Sequence, residues 1–210
     1  MTLKLIIQKQ LSKTIYKTFT AKKLVTSGIN LIRGMFKMNL FEAIQNRRSI
    51  RQYKKQDLPE GTVEKLVDAA RMAPSAGNVQ PYALIIVKEE KIKQQLSQAA
   101  FDQKGVQEAP VVIVVCADEK RAAEAYGDRG KTLYCIQDTA VVTQNILLSA
   151  YALGLGTCWV GAFKEGDIRK IINAPKGMRP VAMIPVGYPN ESPAQRSRRP
   201  ASELVHKETF

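Results

Sequence analysis

The 210-residue chain is 45% hydrophobic and 24% charged, which suits one globular domain with a substantial core and excludes an intrinsically disordered protein. Its net charge of +13 is unevenly spread: residues 1–37 hold eight Lys and Arg and no acid, leaving 24 basic against 19 acidic side chains in the remainder. The high pI therefore describes an N-terminal segment more than a domain, and no nucleic-acid partner is expected from it.

Residues 1–37 read as a basic N-terminal extension. Leu3, Ile7, Leu11, Ile15 and Phe19 recur at i, i+4 spacing, with Lys9, Lys13 and Lys17 on the other side. The pattern is that of a basic amphipathic helix able to lie weakly on anionic lipid. An appended arm, or sequence upstream of a true start at Met38, accounts for it more simply. The segment lacks the continuous apolar core of a secretory signal, and no stretch of about 18 apolar residues spans a membrane.

The domain proper is assigned to residues 38–210. Near its start "NRRSIRQY" (46–53) gathers three arginines, a serine and an aromatic residue. Such a cluster is a solvated basic turn, a nucleic-acid contact or one wall of an anion pocket. Val63, Leu66, Val67 and Ala70 then mark the buried stripe of a helix that opens at Pro59 and Glu60 and stops at Pro74. "APSAGNVQPY" (73–82) is a loop presenting hydroxyl and amide groups, its backbone fixed by Gly77 and two prolines. "YALIIVK" (82–88) reads as a buried strand, 91–100 as a helix, and "VVIVVCA" (111–117) as a strand too continuously apolar for a solvated face. Residues 136–156 are helical and, after Ala140, apolar almost all round, so this helix is central in its domain or lies between subunits. "TCWVGAF" and "PVAMIPVGY" supply further strands around a short helix at 165–172. Strands separated by helices mean α/β or α+β with a sheet covered on both faces.

The chemistry is bounded by what is missing. There is no Gly-x-Ser-x-Gly elbow and no phosphate loop, and in "GLGTCWVG" the third glycine falls two positions too late for a dinucleotide fingerprint. The sole histidine, His206, sits in the tail, so neither a hydrolase base nor a zinc site is expected. Cys116, Cys135 and Cys158 read as core thiols of a reducing, cytoplasmic compartment. Asp138, Gln144 and Asn145 read as buried polar groups at helix interfaces, and Trp159 either packs in a core strand or lines a pocket. What remains is arginines, amides and hydroxyls, suited to holding a ligand.

Taken in order, "NRRSIRQY", "APSAGNVQPY", "YCIQDTAVVTQNILLSAYALGLGTCWVGAF" and "QRSRRP" resemble the nitroreductase family of FMN-dependent oxidoreductases over about four-fifths of the chain. The resemblance implies an α+β fold: a three-layer sandwich with a mainly antiparallel central sheet flanked by helices, in an intertwined homodimer with FMN in clefts between subunits. It implies that Arg47 and Ser49 meet the phosphate and ribityl chain and that Arg196 and Arg198 complete the phosphate clamp. Arg51 is then placed near the flavin N1 and C2 carbonyl edge, where a cation favours the reduced ring. Arg48 contributes through its stem or backbone. Ser75 and Asn78 reach the same cleft from the other subunit, and a backbone N–H at Gly161 or Ala162 meets flavin N5. The implied activity is hydride transfer from NADH or NADPH, through FMN, to a nitroaromatic, quinone or flavin acceptor in a ping-pong cycle. Flavin cleavage, reductive dehalogenation, or a non-catalytic FMN-binding protein associated with membranes are the alternatives. Tyr82 departs from the Trp common at that position, and residues 101–134 are too short for the long helical lid of larger members.

Overall fold

Strand β2 (Val111–Asp118) is buried along almost its whole length, because odd and even residues face two different cores. Val111, Ile113 and Val115 point into one cluster and Val112, Val114 and Cys116 into the other. The structure, a computed structural model, describes residues 39–210, so the expected helix of residues 1–37 and the boundary at Met38 lie outside the described residues.

In chain order the elements are α1 (Leu40–Asn46), α2 (Thr62–Arg71), β1 (Tyr82–Val87), α3 (Glu90–Ala99), α4 (Lys104–Glu108), β2, α5 (Glu119–Arg129), α6 (Cys135–Ala152), β3 (Gly156–Thr157), α7 (Glu165–Ile171) and β4 (Met178–Gly187). The sheet runs β1-β2-β4-β3 with every strand pair antiparallel. One face carries α2 and α6, whose Leu66, Ala70, Val142, Ile146, Leu147 and Ala150 meet Ile113 and Ile184. The other carries α3 and α7, through Leu96, Ala99 and Ile168 against Val114 and Met183. This is the expected three-layer α+β sandwich.

The stripe of α2 is as expected, with Val63, Leu66 and Ala70 buried. β1 differs: it is the edge of the sheet and only half-buried up to Val87, with Tyr82, Leu84 and Ile86 packed on one core and Ala83 and Ile85 on the other. The register between β2 and β4 slips between Val115 and Cys116, and Pro180 of β4 sits opposite that irregularity, where a missing N–H costs no ladder bond. "TCWVGAF" makes less strand than its composition suggests. Gly156 and Thr157 pair with β4, Val160 makes one further bridge to Met183, and Trp159 between them is 41% exposed, so it does not pack in the core.

The buried face of α6 belongs to its own chain's core, which meets the expectation of a central helix. Its polar residues divide: Asp138 is buried, Asn145 donates to the Ala69 carbonyl at 3.0 Å, and Gln144 is exposed. α5 has no apolar stripe beyond Ala122, so sequence periodicity does not mark it; the Asp118 side chain caps it by accepting from the Arg121 amide at 2.9 Å. It breaks at Tyr126 and Gly127 and passes through a π-turn, Gly130–Tyr134, into α6. The one basic side chain buried in α3, Lys93, donates to the Ala109 carbonyl and to Glu90 Oε1, both at 2.7 Å, which ties α3 to the end of α4. Leu40–Phe210 form one compact unit, and no helix among the described residues is long and apolar enough to cross a membrane.

Candidate functional site

Segment 47–53 carries the site because its backbone is paired as if it were a strand. Ser49 bridges Thr157 in parallel, the Ile50 amide donates to the Thr157 carbonyl at 2.9 Å, and Tyr53 bridges Pro189. Ile50 and Tyr53 point inward, 7% and 5% exposed. The Tyr53 hydroxyl donates within reach of the Ile50 and Pro185 carbonyls, and burial pushes its pKa well above the ordinary phenol range. Gly156 lies beneath: a Cβ there would come within 2.8 Å of the Ile50 side chain. Glu191 secures the outer side, accepting from the Arg51 amide and from the Gln52 amide at 3.2 Å. Arg51, exposed between these anchors, lines a cleft together with Ile50 and Tyr53, and the half-buried Ser49 stands beside Cys158 of its wall.

The cleft has a volume of about 820 Å³, within the usual size of a small-molecule site, and is lined by Ile50, Arg51, Gln103, Lys104, Cys158 and Val160 among others, with Arg47, Arg48, Ser49, Arg196 and Arg198 outside its lining. Arg47 stands half-buried beside it, its pKa lowered first by burial and then by the charges of Arg48 and Arg198. Among the described residues, none of Arg47, Arg48, Arg51, Arg196 or Arg198 forms an ion pair with a carboxylate. Guanidinium groups seldom stay partly desolvated beside one another without an anion, so this corner carries an electrostatic deficit.

The expected residues separate clearly. Arg47, Arg48, Ser49, Arg51 and Arg198 converge, and Ser49 hydrogen-bonds the Cys158 thiol, whose pKa burial raises. Arg48 Nη1 donates to the Gln45 carbonyl at the end of α1 at 2.7 Å and to the Arg47 carbonyl at 3.0 Å, while its charge still acts on Arg47. Arg196 is exposed; its carbonyl accepts from Arg198 at 3.2 Å, and its side chain makes no ion pair among the described residues. Gly161 and Ala162 follow the Val160–Met183 bridge, where the ladder ends. Both are exposed, and neither amide donates to another described residue. A Cβ on Gly161 would meet nothing nearer than Trp159 Nε1 at 3.8 Å, so the backbone there is open to close approach.

Ser75 and Asn78 do not line the arginine cleft of their own chain. Their side chains close their own loop: Ser75 Oγ accepts from the Gln80 amide and Asn78 Oδ1 from Gln80 Nε2, both at 3.0 Å.

Gln103 and Lys104 are site residues that sequence reasoning missed. Gln103 Nε2 donates to the Ala162 carbonyl at 3.1 Å, joining α4 to the Gly161 turn. The available signal was Gly105: a Cβ there would lie 2.6 Å from the Arg51 carbonyl, and only glycine lets α4 approach so closely. Its context offers no periodicity to single it out.

Comparison with known proteins decides what this cleft belongs to. The Nitroreductase family model matches residues 44–104 and 101–188, which include the arginine segment, the loop at 75–80 and the Gly161 turn. The chain belongs to the nitroreductase family. A Methanothermobacter thermautotrophicus relative assigned as an NADH dehydrogenase/NAD(P)H nitroreductase is 36% identical over 164 residues, 76% of this chain and 82% of its own. The FMN reductase (NADPH) of Bacillus subtilis is 27% identical over 185 residues, 82% of this chain and 74% of its own. Among solved structures, the NADPH:FMN oxidoreductase of Vibrio harveyi complexed with NAD+ superposes with a TM-score of 0.76 at 25% identity, over 81% of this chain and 77% of its own.

Proposed function

We infer that this nitroreductase-family chain is an FMN-dependent oxidoreductase that takes hydride from NADH or NADPH and reduces a nitroaromatic, quinone or flavin acceptor. The observation that carries the reading is the half-buried, unpaired Arg47 guanidinium with Arg48 and Arg198 around it. A dianionic phosphate suits such a corner, because forked donors hold it with charge-assisted hydrogen bonds and relieve the cations' mutual repulsion. FMN carries that phosphate; riboflavin does not.

Arg47, Ser49 and Arg198 would hold the phosphate and ribityl end, with Arg196 reinforcing it from the tail and Arg48 shaping it through its stem. Arg51 and Lys104, both lining the cleft, would supply positive charge favouring a ring that gains negative charge on reduction. The Gly161 or Ala162 amide, free of internal acceptors, is available as a donor to a ring nitrogen. When bound, FMN supplies the two-electron chemistry, so no acid or base side chain is obligatory.

The working unit is a homodimer. Leu40 and Ile44 of α1 are 61% and 52% exposed, apolar surface suited to a second copy, and Ser75 and Asn78 would reach the partner's cleft. The three cysteines are free and buried, which fits a reducing, cytoplasmic location.

The test is direct. Protein loaded with FMN is expected to be yellow, to bleach when NADH or NADPH is added without oxygen, and to recover colour when a nitroaromatic or quinone follows. A colourless protein with no affinity for FMN would overturn the reading.

A further inference from the structure

We propose that Asp138 is a positioning residue for the cofactor cleft: from α6 it holds the 75–80 loop in its left-handed conformation by accepting the Ala76 amide. The inference rests on the reading above, in which that loop presents Ser75 and Asn78 to FMN.

The loop does not hold itself without help. Gly77, Asn78 and Gln80 have φ of 52°, 56° and 52°, and for the two non-glycine residues the left-handed region is unfavourable. Ala76 opens the 3-10 turn Ala76–Asn78, so its amide has no acceptor within the turn. Ser75 stands at the N-cap, but its Oγ accepts from the Gln80 amide instead. The missing cap comes from another element: Asp138 Oδ1 accepts from Ala76 N at 3.2 Å. On the far side Arg121 Nε donates to the Val79 carbonyl at 2.6 Å. The loop is thus gripped at both ends by α5 and α6.

Asp138 is a costly residue for this work, which argues that the work is needed. It is 6% exposed, and its second oxygen, Oδ2, is buried with no hydrogen-bond partner, as is the Tyr82 hydroxyl. A carboxylate so placed gives α6 nothing in packing. Burial raises its pKa, against which the Ala76 hydrogen bond works. The groups facing it are Tyr82 of β1, on which Arg71 of α2 also acts, and Cys135 one turn earlier on α6, on which Glu119 of α5 also acts; burial is the first cause that raises both of their pKa values, and Asp138 adds to the rise. The sign follows from the raised pKa. The folded state binds the proton more tightly than the unfolded chain, so the contribution is fully present below the ordinary carboxylate range. It is lost as pH rises through the raised value. Oδ1 can accept the Ala76 amide in either form.

Asp138→Asn keeps the acceptor and removes the titration, whereas Asp138→Ala removes both. The experiment measures FMN affinity by fluorescence quenching, amide exchange across 75–80, and unfolding between about pH 4 and pH 8. Asp138→Ala is expected to weaken FMN by on the order of tenfold and to speed exchange at Ala76 while β2 stays protected. Asp138→Asn is expected to bind FMN like the natural chain and to lose part of its pH dependence of stability. Natural affinity and exchange in Asp138→Ala would overturn the proposal, as would fast Ala76 exchange in Asp138→Asn, which keeps the acceptor. If Asp138→Ala does not fold, Ala76 exchange in Asp138→Asn decides: natural protection supports the latch and its loss overturns it. A natural chain without FMN affinity would defeat the functional reading instead, and Ala76 exchange would still judge the latch.

Discussion

Segments 47–53 and 75–80 are both assigned to the cofactor, and they are held in opposite ways. The first pairs its backbone with β3 and the end of β4, buries Ile50 and Tyr53, and leaves Arg47 and Arg51 without a carboxylate partner among the described residues. The second spends its polar side chains on itself, adopts positive φ at three residues, and depends on α5 and α6 to stay put. The arginine segment is therefore supported by sheet pairing, while the strained loop is supported by hydrogen bonds from helices. Damage to the first should be expressed as lost fold and lost ligand together; damage to the second should stay local.

The largest effect is expected at Ile50. Ile50→Ala removes the wedge over Gly156 and should cost about 2–4 kcal/mol of stability by chemical unfolding, with FMN affinity falling alongside because Arg47, Ser49 and Arg51 lose their common support. Stability lost with affinity intact would mean that backbone pairing alone positions the arginines. Next is Gly77, where a Cβ would sit 2.1 Å from Tyr126 Oη on a residue with φ of 52°. Gly77→Ala should cost about 1–3 kcal/mol, and Tyr126→Phe in the same protein should recover the part due to the hydroxyl, leaving the left-handed penalty. No recovery would show that backbone strain is the whole effect. Arg198→Ala should weaken FMN about tenfold without altering the fold, and Arg196→Ala less, since the structure brings only Arg198 to Arg47. Equal losses would mean that the tail rearranges around the phosphate. The smallest effect is expected from removing residues 1–37: a chain beginning at Met38 should unfold and bind FMN as the full chain does. Any salt-sensitive co-sedimentation with anionic vesicles should disappear with the arm. Loss of flavin on truncation would place the domain boundary elsewhere.

These contrasts explain what the sequence made legible. The layers of the fold were readable because burial imposes periodicity: the stripe of α2, and the unbroken apolar run of β2 that signals a sheet covered on both faces. α5 was not readable, because a helix with one buried alanine has no period to detect. The arginine cluster was visible as composition, but its sense was not, since a solvated turn and an anion pocket differ only in what faces them. Arg48 shows the difference: adjacent to Arg47 in sequence, it is turned to the end of α1. Gln103, Lys104 and Glu191 escaped notice because each comes to the cleft through a long-range approach, α4 against the Arg51 carbonyl and the tail against the Arg51 and Gln52 amides. For Trp159 the sequence allowed packing or a pocket, and its exposure removes the first.

The central claim is that unpaired arginines make this cleft a phosphate site and so select FMN. It is tested most directly by titrating the natural chain and Arg47→Ala with FMN and with riboflavin. The natural chain should prefer FMN by at least about tenfold, the scale of one charge-assisted contact, and Arg47→Ala should lose most of that preference while binding riboflavin nearly as before. Equal affinity of the natural chain for the two flavins, or a preference that survives Arg47→Ala undiminished, would contradict it.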